Sequence, residues 1–482
     1  MLRASEAIAA NNTRFRAVTR SNVSRMPEWG WLDSDVREAV MVVSTVLPFR
    51  TNRYVLDELI DWDRVPDDPM FQLTFPQRGM LSDDHYRTMA DLLRAKAPPE
   101  VIDREANRIR YKLNPHPDGQ MTHNVPRHNG EPVPGMQHKY RETVLFFPSQ
   151  GQTCHAYCTF CFRWAQFVGL NDLKFSTGDT ELLTDYLKAH PQVTDVIFTG
   201  GDPMTMKTAV LRRYVEPLLV RELDHVRTIR IGTKAPAYWP HRFVTDNDAD
   251  DLLRLFEEVL ASGKHVSVMG HYTHPVELRP DIAQRALRRI NSTGAGIRMQ
   301  GPLLRHVNDD PTAWAELWRS GSQLGAVPYY MFVERDTGAR DYFGVPLVDA
   351  WDVFRKAYRQ VSGIARTVRG PSMSAMPGKV HILGINEIGG EKVFVLEYLQ
   401  ARDPNLVRRP FFARFDPRAT WFDELEPFTE RDREFFPKPP DSNPWAAVEC
   451  QRWHGTDHRV NPAAWPLDGR RSFPAPDRNV SR

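Results

Sequence analysis

Short apolar runs of six to eight residues recur through the middle of the chain, separated by stretches with apolar residues at helical spacing. The runs are ETVLFFP (142–148), TDVIFTG (194–200), TIRIGTK (228–234), HVSVMG (265–270), GIRMQG (296–301) and VPYYMFVE (327–334). Between them, DTELLTDYLKAH (179–190), DADDLLRLFEEVLAS (248–262), RPDIAQRALRRIN (279–291) and PTAWAELWRSGSQ (311–323) predict helices. Six strands alternating with helices predict an α/β fold whose parallel sheet is joined by right-handed crossovers. Strands this short and apolar suit a sheet covered on both faces. A site on such a sheet lies beyond the C-terminal ends of its strands.

The flanks read differently. Residues 1–135 form a helical N-terminal region that ends in a proline-rich approach, LNPHPDGQMTHNVPRHNGEPVPG (113–135). The core then runs over 136–345, and 346–402 makes a smaller C-terminal unit. There KVHILG and EKVFVLEYL flank INEIGG as a hairpin. Residues 403–482 are rich in proline and charge and read as an extended tail, disordered at its very end.

The unusual residues fall where the strands end. The first run leads into TCHAYCTFCFR (153–163), which holds three of the chain's four cysteines. Cys154, Cys158 and Cys161 are spaced C-x3-C-x2-C. Buried free thiols need no such spacing, and a disulfide would strand the third. A structural zinc needs four ligands, and His155 stands awkwardly next to Cys154 for that role. Three thiolates on a cubane iron–sulfur cluster would leave one iron open to a small molecule. The other strand ends are TGGDP (199–203), GTKAP (232–236), GHYTHP (270–275) and QGPLLRHVND (300–309). Singly, GGDP is a good turn, and His271 and His274 are ordinary loop histidines. Gathered on one rim they mark a site.

Composition narrows the setting. A chain of 482 residues exceeds one ordinary core, so two or three domains are expected. Its 41% hydrophobic and 26% charged residues are those of a soluble globular protein. The net charge of +2, from 63 basic and 61 acidic residues, gives no electrostatic case for a nucleic-acid partner. The longest apolar run, AVMVVSTVLPF (39–49), is about half of a bilayer span, so no membrane partner is expected. Arg3, Arg14, Arg16, Arg20 and Arg25 precede no apolar segment, which suits a flexible arm better than a transit peptide. Four cysteines do not make a disulfide framework, and a cytoplasmic location is expected.

CHAYCTFC resembles the cysteine signature of radical S-adenosylmethionine (SAM) enzymes, and FTGGDP resembles their glycine-rich segment. VPGMQHKYRETVLF, Arg163 two residues after the last cysteine, RIGTKAP, HYTHPVEL, MQGPLLRHVNDD, VPYYMF and MPGK (376–379) resemble the lysine 2,3-aminomutase family. The likeness spans roughly residues 65–385, about two thirds of the chain. It implies a partial (β/α)6 barrel. It also implies an isomerase that moves an amino acid's α-amino group to the β-carbon through a 5'-deoxyadenosyl radical. Cys154, Cys158 and Cys161 would hold a [4Fe-4S] cluster, and Gly200, Gly201 and Asp202 would lie against the methionine part of SAM. His274 and Gln300 would be further SAM contacts. Lys379 would carry pyridoxal 5'-phosphate (PLP) covalently, with Lys392 as the alternative. Tyr140 and Arg141 would lie near the PLP phosphate. Arg163 would clamp the substrate α-carboxylate, a task for a planar bidentate donor. The partners implied are a small amino acid and an electron donor such as flavodoxin or ferredoxin, with self-association left open.

Two departures bear on the substrate. Lysine-specific members of the family carry two aspartates for the substrate ε-ammonium; here Arg335 and Ser372 stand in their places, with Glu334 and Asp336 beside the first. A cation and a hydroxyl do not replace two carboxylates, so a substrate other than lysine is expected, glutamate or aspartate among the candidates. The lysine segment reads SAMPGK rather than a glycine run, which keeps open a PLP-free radical SAM enzyme. A non-catalytic iron–sulfur or zinc protein is the third reading, and the intact GGDP, HYTHP and MQGPLL weigh against it. Cys450, His454 and His458 could form a second metal site, although a solvated tail is the better reading of them.

Overall fold

The computed structural model describes residues 14–437; Cys450, His454 and His458 lie outside the described residues. Near the N-terminus, β1 (Ala17–Thr19) pairs antiparallel with β2 (Arg50–Asn52). Helices Ser34–Val43, Pro69–Thr74, Asp83–Arg94 and Pro99–Lys112 follow in this region and contribute buried residues to the main core. A short ladder of β3 (Arg127–His128) and β4 (Glu131–Pro132) follows.

The apolar runs of the core join one eleven-stranded sheet. Its members are β5 (Met136–Tyr140), β6 (Thr143–Phe146), β7 (Asp195–Phe198), β8 (Thr228–Thr233), β9 (His265–His271), β10 (Gly296–Leu303), β11 (Ala326–Val333), β12 (Arg369–Ser374), β13 (Gly378–Ile388), β14 (Glu391–Ala401) and β15 (Phe411–Arg414). They stand in strict chain order across the sheet. From β6 through β12 each strand runs parallel to the next. The crossovers carry helices Thr180–Ala189, Thr208–Val215, Ala249–Ala261, Asp281–Ser292, Pro311–Gln323 and Leu347–Arg359. Two of these start on side-chain caps: Asp179 accepts from Leu182 N at 2.9 Å, and Asp310 from Thr312 N at 3.1 Å.

Sequential order with crossovers of one hand sends every helix to the same face of the sheet. On β8, Ile229 and Ile231 are buried among Leu211, Val215, Phe256 and Val259 of the flanking helices. Arg230 lies between them and turns to the other face. There its Nε donates to Asp195 Oδ1 of β7 at 2.7 Å, and its Nη2 to Thr143 Oγ1 of β6 at 3.4 Å. The helix-free face is therefore polar where the helix-covered face is oily.

The seventh parallel strand, β12, was not among the predicted runs. Its residues RGPSMS offer neither alternation nor an apolar stretch, and it is held by pairing with β11 on one side and β13 on the other. The β13–β14 hairpin turns at Gly389 and Gly390, both at positive φ (61° and 86°), as a tight two-residue turn demands. In the proline- and charge-rich chain after Ala401, Phe411, Trp421, Phe422, Phe435 and Phe436 are buried. Phe411 of β15 stacks on Phe435 at 4.6 Å, and both join Tyr398, Trp421 and Phe422 in a second core.

Candidate active site

The three cysteines sit in the loop that leaves β6, and the N-terminal region grips that loop. Asn52 of β2 is fully buried and donates through Nδ2 to His155 O and to Tyr238 O, each at 3.1 Å. Tyr157 N donates to Arg50 O at 2.8 Å and Thr159 N to Leu73 O at 3.0 Å. The ring of His155 packs between Phe15 and Trp239. Burial, with Arg242 and Arg50 nearby, brings its pKa down to about 3, so it is neutral.

All three thiols are free and partly buried. Burial pushes Cys158 up to about 11 and Cys161 up to about 12. Cys154 is pushed well above the ordinary thiol range by burial, then by Asp202 and the other two cysteines. Among the described residues, no three His, Cys, Asp or Glu side chains are gathered as ligands of one ion. A single tetrahedral ion needs thiolates about 2.3 Å away, whereas an iron–sulfur cluster spreads them over separate irons. Three desolvated thiols that ionise only beside strong positive charge, with no disulfide among them, fit a cluster.

The glycine-rich turn after β7 packs directly on the cysteine loop. Asp202 N donates to Thr153 O at 2.7 Å. A Cβ on Gly201 would stand 2.6 Å from both Thr153 N and Thr153 O. Gly200 adopts φ +131°, and a Cβ there would stand 2.2 Å from Gln152 Nε2. The close approach that these glycines permit is thus first an approach to the chain's own backbone. The Asp202 carboxylate is buried and accepts from Thr233 Oγ1 at 2.6 Å and from Met204 N and Lys234 N at 2.9 Å. Burial raises its pKa to about 6 against these bonds. It joins the end of β7 to the end of β8.

From β8 the connection continues to β9. Lys234 Nζ donates to Glu277 Oε1 at 2.6 Å, Thr273 Oγ1 at 3.0 Å and His271 O at 3.2 Å. Glu277 is wholly buried, and its Oε2 accepts from Thr273 N at 2.6 Å and His274 N at 3.1 Å. Lys234 Nζ also lies 4.5 Å from the centre of the Tyr238 ring, whose hydroxyl is 3.9 Å from Cys158 Sγ. His274 Nδ1 accepts from Val276 N at 3.4 Å, and burial lowers the ring's pKa to about 4. Gln300 lies on β10 between His271 and Tyr330, and its carbonyl accepts from Tyr272 N at 2.9 Å. Lys234, Glu277 and Asn52 went unnoticed in the sequence, though the first two lie within GTKAP and HYTHPVEL.

Lys379 lies on β13 opposite Ser374 of β12. Its Nζ is 4.0 Å from the centre of the Tyr330 ring and 5.4 Å from that of Phe332, both on β11. Burial, then Arg230 and Arg369, lower its pKa to about 7. Lys392 is exposed on β14, so only Lys379 has this setting of the two lysines. Tyr140 ends β5 and acts electrostatically on Tyr330, while Arg141 is exposed.

Arg163 is only 8% exposed, and its guanidinium lies 4.2 Å from the Phe147 ring and 5.0 Å from the Phe162 ring. Burial and Arg335 lower its pKa to about 9. Arg335 lies 5.2 Å from the same Phe162 ring, so two guanidinium groups share one aromatic. Glu334 is buried, its Oε1 without a hydrogen-bond partner among the described residues, and burial holds its carboxyl well above the usual range. Ser372 is fully buried, its hydroxyl 3.5 Å from Met331 O. Asp336 accepts from Asn114 Nδ2 at 3.1 Å.

A search of curated proteins finds a protein of Aquifex aeolicus (strain VF5), provisionally named an L-lysine 2,3-aminomutase, 31% identical over 396 residues. The match covers 82% of this chain and 91% of the relative. The L-lysine 2,3-aminomutase of Haemophilus influenzae is 28% identical over 259 residues, covering 52% of this chain and 72% of its own. No protein-family profile matches. Among solved structures, a radical SAM methyltransferase from Sphaerobacter thermophilus aligns with 48% of this chain and 68% of its own, at 16% identity and TM-score 0.35. SuiB of Streptococcus suis bound to S-adenosylmethionine aligns with 56% of each chain, at 14% identity and TM-score 0.32. Both scores are low.

The buried ion pair makes a sharp test. Lys234→Met or Glu277→Gln alone should destabilise the protein by about 3–5 kcal/mol in urea unfolding, because each strands a buried partner. The double variant Lys234→Met, Glu277→Gln, which keeps an acceptor for the Thr273 and His274 amides, should cost less than the sum of the two single changes. A double variant as costly as the sum would show that the two side chains do not depend on one another.

Proposed function

The chain belongs to the radical SAM lysine 2,3-aminomutase family, and from that premise we propose that it is an isomerase that moves the α-amino group of an amino acid other than lysine to its β-carbon. The observation that carries this reading is Lys379, an amine held on aromatic rings of the sheet and brought to a pKa of about 7. A lysine that sheds its proton near neutrality is a nucleophile for a carbonyl cofactor. When bound, the [4Fe-4S] cluster, SAM and PLP supply the electron, the hydrogen-abstracting radical and the conjugated system that carries the amino group.

The chain's own residues supply position and charge. In this reading Cys154, Cys158 and Cys161 hold the cluster on the rim of a partial barrel, 136–345. Gly200, Gly201, His274 and Gln300 border the SAM site, with Asp202 bracing the turn rather than offering free oxygens. Tyr140 stands on the PLP side. Arg163, buried on aromatic faces with no carboxylate bonded to it among the described residues, takes the substrate α-carboxylate. Arg335 beside it adds a guanidinium to that end of the site and Ser372 offers no charge, which favours an acidic or neutral side chain over an ammonium. A flavodoxin or ferredoxin as reductant belongs to the same reading.

Three measurements test it. The anaerobically reconstituted protein should be brown with about four irons, and alanine at Cys154, Cys158 or Cys161 should remove iron and activity together; a colourless protein holding zinc through these thiols overturns the reading. Borohydride should fix PLP to the Lys379 peptide, and capture should increase as pH rises through about 7, since the neutral amine is the reactive form. Capture at Lys392, or a rise centred at about 10, would place the reactive amine elsewhere. Wild type should turn over an acidic or neutral amino acid faster than lysine, and Arg335→Asp should lose that preference. Good turnover of lysine that Arg335→Asp leaves unchanged would remove Arg335 from the substrate site.

A further inference from the structure

Beside Lys379 stands a second cation that none of the roles above employs. Arg369 opens β12 opposite Tyr330. Its guanidinium carbon lies 4.5 Å from the centre of the Tyr329 ring and 4.6 Å from that of Tyr330, the ring that also carries Lys379 Nζ at 4.0 Å. Arg230 acts on both groups from β8, but Asp195 and Thr143 already occupy it. Among the described residues, Arg369 forms neither a hydrogen bond nor an ion pair through its side chain, and the two rings are its neighbours. Two positive groups on one phenol ring repel each other, and the nearby carboxylate is spent on Arg230. A guanidinium stacked on rings is held in plane with its N–H edges free, the form suited to a two-point grip on a phosphate.

We propose that Arg369 binds the phosphate of PLP when the cofactor's aldehyde is joined to Lys379. The aldehyde and the phosphate-bearing methylene stand on adjacent carbons of the pyridine ring. A lysine and an arginine sharing one tyrosine ring suit that pairing. This inference rests on the assignment of Lys379 made above. It explains a surplus charge in the wall of the site that a catalytic lysine alone does not require. A phosphate dianion also offsets the repulsion between Arg369 and Lys379.

The test compares PLP with pyridoxal, which has the aldehyde and lacks the phosphate. The full-length protein is titrated with each, following visible absorbance and the mass of the borohydride-fixed Lys379 peptide. Wild type should prefer PLP strongly. Arg369→Met, which keeps the stacked bulk without the charge, should cut that preference roughly 10- to 100-fold while pyridoxal binds as before. Arg369→Lys, a point charge without the planar fork, should fall between. A variant that keeps the full preference overturns the inference, and so does one that loses both ligands equally with a lowered melting temperature. Capture of neither ligand at Lys379 by wild type overturns the PLP reading itself. Capture of PLP with an unchanged preference overturns only the role of Arg369.

Discussion

The rim of the site depends on one buried charge. Glu277 has no access to water, and a carboxylate there is tolerable only because Lys234 Nζ and the amides of Thr273 and His274 surround it. Lys234 comes from the end of β8 and Glu277 from the chain after β9, so neutralising the charge sets the spacing of two strand ends. The same lysine's backbone N–H goes to Asp202, which brings in the end of β7 and, through its own N–H, the cysteine loop at Thr153. Tyr238, over which Lys234 lies, reaches Cys158. One ion pair thus fixes three strand ends relative to the thiols, and the glycines at 200 and 201 are the consequence, since no side chain fits where these loops meet.

Most of the sheet was legible because those strands announce themselves locally. An apolar run such as TDVIFTG, followed by a capped helix such as that starting at Asp179, needs no distant partner to be recognised. β12 was not legible, because RGPSMS is a strand only by virtue of its two neighbours. The site divides the same way. Cys154, Cys158, Cys161 and the glycine turn stand out by spacing, whereas Asn52 becomes meaningful only once the fold brings it 3.1 Å from His155 O, 103 residues away. Arg369 was invisible for the same reason: its chemistry lies in sharing a ring with Lys379, a contact across strands.

Polarity is sorted along the sheet by the same logic. The helix-covered face takes the alternate apolar residues, so whatever remains on β6, β7 and β8 must face the other way, and there Thr143, Asp195 and Arg230 satisfy one another. Lys379 and Arg369 extend this polar side without completing it. A self-contained network stabilises a fold; a surplus of cations does not, and it persists in a folded protein when something outside the chain repays it.

The far end of β11 gathers cations as well. Tyr330 and Phe332 carry the Lys379 amine, and the two-residue period of the strand continues to Glu334 rather than Arg335. The strand ends at Val333, however, and beyond it both residues crowd the cysteine loop: Glu334 acts on Cys161, and Arg335 lies over Phe162. Burial drives Glu334 toward its neutral form, so it brings little negative charge to that end. Arg163 and Arg335 share the Phe162 ring there. On the reading proposed above, a substrate ammonium would meet two cations and a carboxyl that resists ionising, while a second carboxylate or an amide would meet donors on both sides. On that reading the departure from the family's aspartates is not one exchanged residue, since the burial of Glu334 and the nearness of Arg163 go with it.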